Sequence, residues 1–314
     1  MMNQCETAAS TVTLRAVFEE YKLVRELKPV TIRNYEGRIN GHLADWLELD
    51  VRAISRDMIE EKFLSIKSKS IANATMRTLR ALLFFAANAY DDNAGAPLLK
   101  NNPVRRLSQT KIWHKDGSRR DVIQVADIAK WTQAVYSIPN PTVRDMLLTL
   151  LFTGMRLCEV KNLHWSQVNL AQGTIYLSDT KNGASRTVPL SDFVWRLLAV
   201  RKYCTTSDFV FPSPYDNTPI SANTKTFKLA VQRSGFQWSY HTMRRTFVSV
   251  ADELEIPSEL VAELVGHKRD SIHEGYVVRS TERLRRVTQK ITNALLVYAG
   301  FMESKPTIRE VKSW

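Results

Sequence analysis

The chain has 314 residues, of which 44% are hydrophobic and 9% aromatic, so it is long and apolar enough for two globular domains with separate cores. Its 44 Lys and Arg residues exceed its 32 Asp and Glu residues, and the net charge is +12. This excess favours a polyanionic partner, because lysine and arginine neutralise phosphates and release condensed counterions. On charge alone, a basic protein without a nucleic-acid partner is the alternative.

The cysteines and the N-terminal segment indicate a cellular compartment. Cys5, Cys158 and Cys204 are odd in number and form no CxxC pair, so we expect a reducing environment and no zinc site. The first ten residues are polar and lack the apolar region of a signal peptide. The longest apolar stretches are too short to cross a bilayer. We therefore expect a soluble, cytoplasmic protein.

Residues 13–90 are predicted to form four helices. Apolar residues recur at helical spacing from Leu14, and Pro29 is suited to the first turn of a second helix. Ser55 is a candidate N-cap for a third helix, and 75–90 is a strongly apolar fourth. The pattern indicates a helical domain with few strand signals.

Turn-forming and basic residues mark a boundary over 91–122. Between Lys100 and Asp121 there are seven Lys or Arg residues against two Asp residues. This connector is predicted to cross a DNA backbone, and an inert solvated linker is the alternative. The predicted organisation is a tail, a helical domain, a basic linker, a second domain and a C-terminal tail, at 1–12, 13–105, 106–121, 122–300 and 301–314.

The second domain is predicted to be mainly helical with one small sheet. Three short β-branched segments separated by turns over 168–190 predict a three-stranded antiparallel meander. The fold class is therefore mostly α (α+β). The predicted helices are 124–137, 141–152, 191–203, 221–234, 242–254, 257–265, 270–277 and 281–299.

Arg156 is the first candidate for binding phosphate. It follows a helix break at Gly154, and Glu159 lies three residues further on, on the same helical face. A guanidinium can hold two nonbridging phosphate oxygens and stays charged at any working pH. Glu159 could pair with Arg156 and fix its fork, although a surface Arg–Glu pair is the alternative.

His241 and Arg244 are one turn apart at a predicted helix start, where the N-terminus itself favours anions. His267 follows Gly266 in a glycine C-cap pattern, and Tyr276 lies nine residues beyond it. Read alone, His267 would be a capping histidine and Tyr276 a core tyrosine. His273, three residues before Tyr276, is predicted to be a neighbour of that residue.

Lys181 lies in a glycine-containing turn between two predicted strands, where an ordinary exposed lysine is the alternative. The order and spacing of these groups resemble the tyrosine recombinase (phage integrase) family. The residues that carry the resemblance are Arg156, Lys181, His241, Arg244, His267 and Tyr276.

The resemblance implies a metal-free transesterification on DNA, with no cofactor. Tyr276 would attack the scissile phosphate and form a 3′-phosphotyrosyl link, while Lys181 protonates the 5′-oxygen that leaves. Arg156 and Arg244 would stabilise the nonbridging oxygens. His241 would act as proton acceptor or phosphate donor, and His267 as a further donor.

The resemblance also implies partners. Residues 13–105 would be a core-type DNA-binding domain and 122–300 the catalytic domain, together clamping double-stranded DNA at an inverted-repeat core site. A homotetramer on DNA is expected, with an accessory DNA-bending or excisionase protein as a possible partner, no membrane contact and a nucleoid location. The reaction would integrate or excise a mobile element, and a simpler recombinase that resolves or inverts DNA is the alternative. Only about ten residues precede the first helix, so an arm-binding domain is expected to be absent or reduced to 1–13.

Three other functions are alternatives, the third being a metal-dependent transposase, which would require magnesium for cleavage. A type IB topoisomerase uses a similar set of residues and would relax DNA without a specific site. A non-catalytic DNA-binding protein of the same fold would be expected to have lost some of the key residues. The basic and then apolar helix over 279–300 packs either on its own domain or on a neighbouring protomer.

Overall fold

A computed structural model describes residues 11–92, 94–115, 121–178, 185–222, 225–267 and 280–303. The chain divides into two compact units, Met1–Ser118 and Arg119–Trp314. Both are dominated by helices, and a three-stranded antiparallel sheet lies in the second unit, which confirms the predicted fold class. Among the helices described, none is both long and apolar enough to span a lipid bilayer.

The first unit contains five α-helices in its described part. Thr13 and Ser55 cap two of them, because their hydroxyl oxygens accept hydrogen bonds from the backbone N–H groups of Ala16 and Met58, at 3.2 Å each. Pro29 occupies the first turn of another, as predicted. The helices are α1 (Leu14–Val24), α2 (Pro29–His42), α3 (Arg56–Ser65), α4 (Lys69–Ala89) and α5 (Arg105–Gln109).

The long helix α4 is the centre of the first unit, and α1, α2 and α3 pack against it. It begins at Lys69, six residues earlier than predicted, because polar residues in its first turns conceal the apolar period. The short helix α5 begins at Arg105, and its other residues lie within the segment 106–121 that the sequence suggests as a linker. Leu107 of α5 is fully buried in the core of the first unit, and Asn73 donates a hydrogen bond to the carbonyl of His114 at 2.9 Å.

The second unit has its core around α7 and α11. Helix α7 is buried on nearly all sides, which explains its continuous apolar run, and α11 packs along it. The described helices are α6 (Val125–Tyr136), α7 (Pro141–Thr153), α8 (Leu157–Lys161), α9 (Asp192–Tyr203), α10 (Lys225–Ser234), α11 (Tyr240–Glu253), α12 (Ser258–Val265) and α13 (Thr281–Tyr298).

The sheet of the second unit confirms the predicted meander. Its strands are β1 (Val168–Asn169), β2 (Thr174–Leu177) and β3 (Arg186–Pro189), in the order β1-β2-β3. Leu177 pairs with Arg186, so the segment that contains Lys181 connects the two longer strands. The predicted turn around Lys181, at 179–184, and the predicted helix 270–277 lie outside the described residues.

Candidate active site

Arg156 and Glu159 are joined by two hydrogen bonds at the start of α8. The Glu159 carboxylate accepts a hydrogen bond from the backbone N–H of Arg156 at 2.9 Å, and another from its Nη1 at 2.9 Å. The same carboxylate therefore caps the helix and holds the guanidinium that precedes it. This confirms the prediction that Glu159 pairs with Arg156 and fixes its fork.

The second terminal nitrogen of the Arg156 guanidinium contacts the end of α12. Its Nη2 donates to the carbonyl of Gly266 at 2.6 Å. Gly266 ends α12 in the left-handed conformation, with φ of +67°, and His267 follows it directly. The glycine C-cap predicted from the sequence is confirmed, and it brings the His267 segment to Arg156 across 110 positions of sequence.

Arg244 lies on the first turns of α11 and is only 4% exposed. Its Nη1 donates to the carbonyl of Gly154 at 2.7 Å, whereas its Nη2 finds no hydrogen-bond partner among the described residues. Gly154 ends α7 with φ of +62°, and a Cβ there would lie 2.6 Å from Cδ1 of Phe247. Glycine thus lets the end of α7 approach α11 closely enough for Arg244 to reach its carbonyl.

The Arg244 guanidinium remains a cation despite this burial. Desolvation, and then the charges of Arg156 and Arg186, lower the pKa of Arg244 to about 10. That pKa is still well above neutral pH. The side chain therefore presents a buried positive charge with a donor that has no partner among the described residues.

His241 and His267 both lie in the field of these cations. Loss of solvent, followed by the charges of Arg245 and Arg244, lowers the pKa of His241. Loss of solvent, followed by the charges of Arg244 and Arg156, lowers the pKa of His267. Both imidazoles are therefore mainly neutral at pH 7, a form that can accept a proton at one nitrogen and donate at the other.

Arg186 is a site residue that the sequence reasoning missed. It opens β3, and its Nη2 donates to Oε2 of Glu159 at 2.7 Å. A single arginine at a strand end carries no signal in the sequence, because only the packing of β3 beside α8 brings it to the carboxylate. The one available hint is its place five residues after Lys181.

The two remaining predicted residues, Lys181 and Tyr276, lie outside the described part of the chain, as does His273. Their roles stay predictions. The described part brings together the other predicted residues, which are Arg156, Glu159, His241, Arg244 and His267.

Positive charges outnumber negative charges among the described residues of this site. Within the described residues, the guanidiniums of Arg156, Arg186 and Arg244 adjoin one carboxylate, that of Glu159. Buried charges are normally paired, and an unpaired buried donor is costly. An excess of buried cations with unsaturated donors suits an oxyanion. The described residues contain no group of three or more His, Cys, Asp or Glu side chains arranged to hold a metal ion.

The phage integrase family model matches residues 124–283, slightly more than half of the chain. The chain therefore belongs to the phage integrase family, the family of the tyrosine recombinases. This confirms the family predicted from the sequence. It also confirms the enzyme class, since tyrosine-type site-specific recombinases are the enzymes of this family.

Among its relatives, prophage integrase IntF of Escherichia coli strain K12 is 28% identical over 276 residues, covering 83% of this chain and 57% of IntF. The chain thus matches little more than half the length of IntF. Tyrosine recombinase XerA of Thermococcus onnurineus strain NA1 is 25% identical over 290 residues, covering 88% of this chain and 95% of XerA. A lambda integrase tetramer bound to a Holliday junction shares the fold, with a TM-score of 0.64, 20% identity, and coverage of 85% of this chain and 81% of that one.

Proposed function

We propose that the protein is a DNA strand transferase that cleaves and rejoins DNA at a specific site through a 3′-phosphotyrosyl intermediate. The observation that carries the proposal is the buried cation cluster, in which Arg156 is fixed by Glu159 and Arg244 keeps a donor without a partner among the described residues. This arrangement supports a pre-organised site for a phosphate whose negative charge grows during reaction.

In the proposed reaction, the phenol oxygen of Tyr276 attacks the scissile phosphorus while His241 accepts the phenol proton. The bond from phosphorus to the 5′-oxygen breaks, and Lys181 gives that oxygen a proton. Arg156 and Arg244 stabilise the nonbridging oxygens, and His267 donates a further hydrogen bond. A 5′-hydroxyl from a partner strand then attacks the phosphotyrosine and releases Tyr276, so the bond energy is retained.

The proposed substrate is double-stranded DNA with an inverted-repeat core site. Residues 13–105 are proposed to be the DNA-binding domain, 106–121 the linker, the start of which packs on the first unit through Leu107, and 122–300 the catalytic domain. The lambda integrase tetramer on a Holliday junction supports a homotetramer on DNA. The relationship to a prophage integrase supports integration or excision of a mobile element, and an accessory DNA-bending or excisionase protein is part of the proposal.

Covalent trapping tests this function. The protein is incubated without added metal on a library of nicked duplexes, in which the cleaved 5′-hydroxyl fragment diffuses away and the reaction cannot reverse. SDS-resistant adducts are then recovered and sequenced. Tyr276→Phe is compared with Tyr203→Phe, a control at a highly exposed tyrosine of α9.

We expect adducts with the wild type and with Tyr203→Phe, at a shared site flanked by inverted repeats, and none with Tyr276→Phe. Adducts that persist in Tyr276→Phe would show that another residue is the nucleophile. Tight DNA binding without adducts in any variant would favour a non-catalytic DNA-binding protein, and relaxation of plasmids without a preferred site would favour the topoisomerase alternative.

A further inference from the structure

Arg186 is a buried cation for which the proposed reaction has no role so far. Its side chain is 9% exposed, and its Nη2 makes the 2.7 Å ion pair with Oε2 of Glu159. Its Nε and Nη1 are buried and find no hydrogen-bond partner among the described residues. A guanidinium held by one partner in the interior is costly, because each remaining donor has lost its water.

The carboxylate of Glu159 is held from two directions. Its Oε2 receives the backbone N–H of Arg156 and the Nη2 of Arg186, and its Oε1 receives the Nη1 of Arg156. Glu159 is itself 6% exposed, so water cannot readily replace either contact. Without Arg186, one oxygen of a buried carboxylate would depend on a single backbone N–H and could turn away from Arg156.

Arg186 also touches the end of α12. A Cβ at Gly266 would lie 2.0 Å from Nη1 of Arg186, so a residue larger than glycine there would displace that guanidinium. The carbonyl of the same glycine receives Nη2 of Arg156 at 2.6 Å. Arg186 thus contacts both groups that orient the Arg156 guanidinium, namely the Glu159 carboxylate and the Gly266 turn.

We propose that Arg186 is a positioning residue for DNA cleavage, which acts through Glu159 to fix the phosphate-binding guanidinium of Arg156. This inference rests on the proposed function and adds a residue to it. The planar fork matters as well as the charge, because one nitrogen must reach Glu159 while another lies against Gly266. A lysine would supply the charge at one point only.

The test measures the single-turnover rate of adduct formation on the nicked substrate, together with DNA affinity and thermal unfolding. Arg186→Met, Arg186→Lys, Glu159→Gln and the double variant Arg186→Met/Glu159→Gln are compared. Arg285→Met is the matched control. Arg285 also lies against a left-handed glycine, Gly173, and donates to its carbonyl at 2.8 Å, but on the far turn of the sheet.

We expect Arg186→Met to slow cleavage roughly 10²-fold while DNA affinity is nearly unchanged, because small misplacements of a catalytic group have effects of this size. The double variant should be no slower than the slower single variant, since both substitutions break one chain of contacts. Arg186→Lys should fold like the wild type and still cleave about tenfold more slowly. Arg285→Met should lower the unfolding temperature and leave the cleavage rate of the folded protein unchanged.

Two results would overturn the inference: cleavage by folded Arg186→Met or Arg186→Lys at the wild-type rate, or effects of Arg186→Met and Glu159→Gln that multiply. Wild type and Tyr276→Phe are run in the same series. A wild type that forms no adduct through Tyr276 would count against the proposed function itself, whereas normal adducts in the wild type and in both Arg186 variants would count against the positioning role alone.

Discussion

Two buried arginines of the second unit, Arg201 and Arg244, are nearly equally shielded, at 7% and 4% exposure, but have different partners. Arg201 donates from Nε to the carbonyl of Val210 at 2.7 Å, from Nη1 to Asp145 at 2.9 Å and from Nη2 to Thr142 at 3.0 Å. Each nitrogen of its guanidinium has a partner, and one partner is a carboxylate.

Within the described residues, Arg244 by comparison makes one hydrogen bond, from Nη1 to the carbonyl of Gly154, and its Nη2 is unpaired. An arginine that serves the fold is expected to be saturated, because an unpaired buried charged donor costs about 1–3 kcal/mol or more. Arg244 is instead anchored by one nitrogen while another stays available. This difference supports the proposed roles, in which Arg201 stabilises the fold and Arg244 binds the phosphate.

The largest expected effect comes from Arg244→Met. Removing a donor that stabilises developing negative charge slows a reaction about 10²–10³-fold, which corresponds to roughly 2.7–4 kcal/mol in the transition state. The fold should lose little, since the substitution also removes a costly buried charge. Single-turnover cleavage of the nicked substrate and urea unfolding measure the two quantities. An Arg244→Met variant that unfolds easily yet cleaves at the wild-type rate per folded molecule would show that Arg244 serves the fold and not the reaction.

Arg201→Met should show the opposite pattern. It leaves the buried Asp145 with Arg144 as its remaining cation, at 2.9 Å, and strands the Val210 carbonyl. We expect a loss of about 3 kcal/mol in the free energy of unfolding, at the lower end of the cost of breaking a buried ion pair, because Asp145 keeps Arg144 as a partner. Cleavage at low temperature, where the variant is folded, should match the wild type. A second substitution, Asp145→Leu, should recover part of the stability. If Arg201→Met is as stable as the wild type and Asp145→Leu changes nothing, Arg201 contributes no more to the fold than Arg244 does.

The features of the fold and the site that depend on neighbouring residues can be predicted from the sequence. The spacing of Arg156 and Glu159 predicts their pairing, since residues three apart share a helical face. The turn-bounded β-branched segments over 168–190 predict the sheet, and His241 and Arg244 are correctly placed at a helix start. The short helix α8 escapes prediction, because five residues are too few to show a period.

The remaining features depend on contacts between distant segments. Arg244 reaches the Gly154 carbonyl across 90 positions, and Arg186 reaches Glu159 across 27. No propensity or period encodes which carbonyl or carboxylate will lie beside a given guanidinium. The same limit applies to Arg201, whose sequence context resembles any basic residue in the last turn of a helix.

The smallest expected effect concerns the pKa of His267. This pKa should respond to the loss of Arg244, whose charge lowers it, but not to the loss of Arg201. A nearby positive charge disfavours the imidazolium, so desolvation and the charges of Arg244, Arg156 and Arg186 lower the pKa of His267. Removing the Arg244 charge should raise that pKa towards its usual value near 6.5, whereas Arg201→Met should leave it unchanged. NMR titration of the His267 ring in the wild type and both variants measures this directly.

Nearby cations should also set the pH dependence of cleavage, because they lower the pKa of His241. His241, whose pKa is also lowered, must be neutral to accept the proton of Tyr276, so the acid limb of the cleavage rate should lie below pH 6.5 in the wild type. It should stay there in Arg201→Met and move to higher pH in Arg244→Met, because Arg244 is among the charges that lower the His241 pKa. An acid limb that moves equally in both variants would mean that overall charge, rather than the cluster around Glu159, sets the protonation of the site.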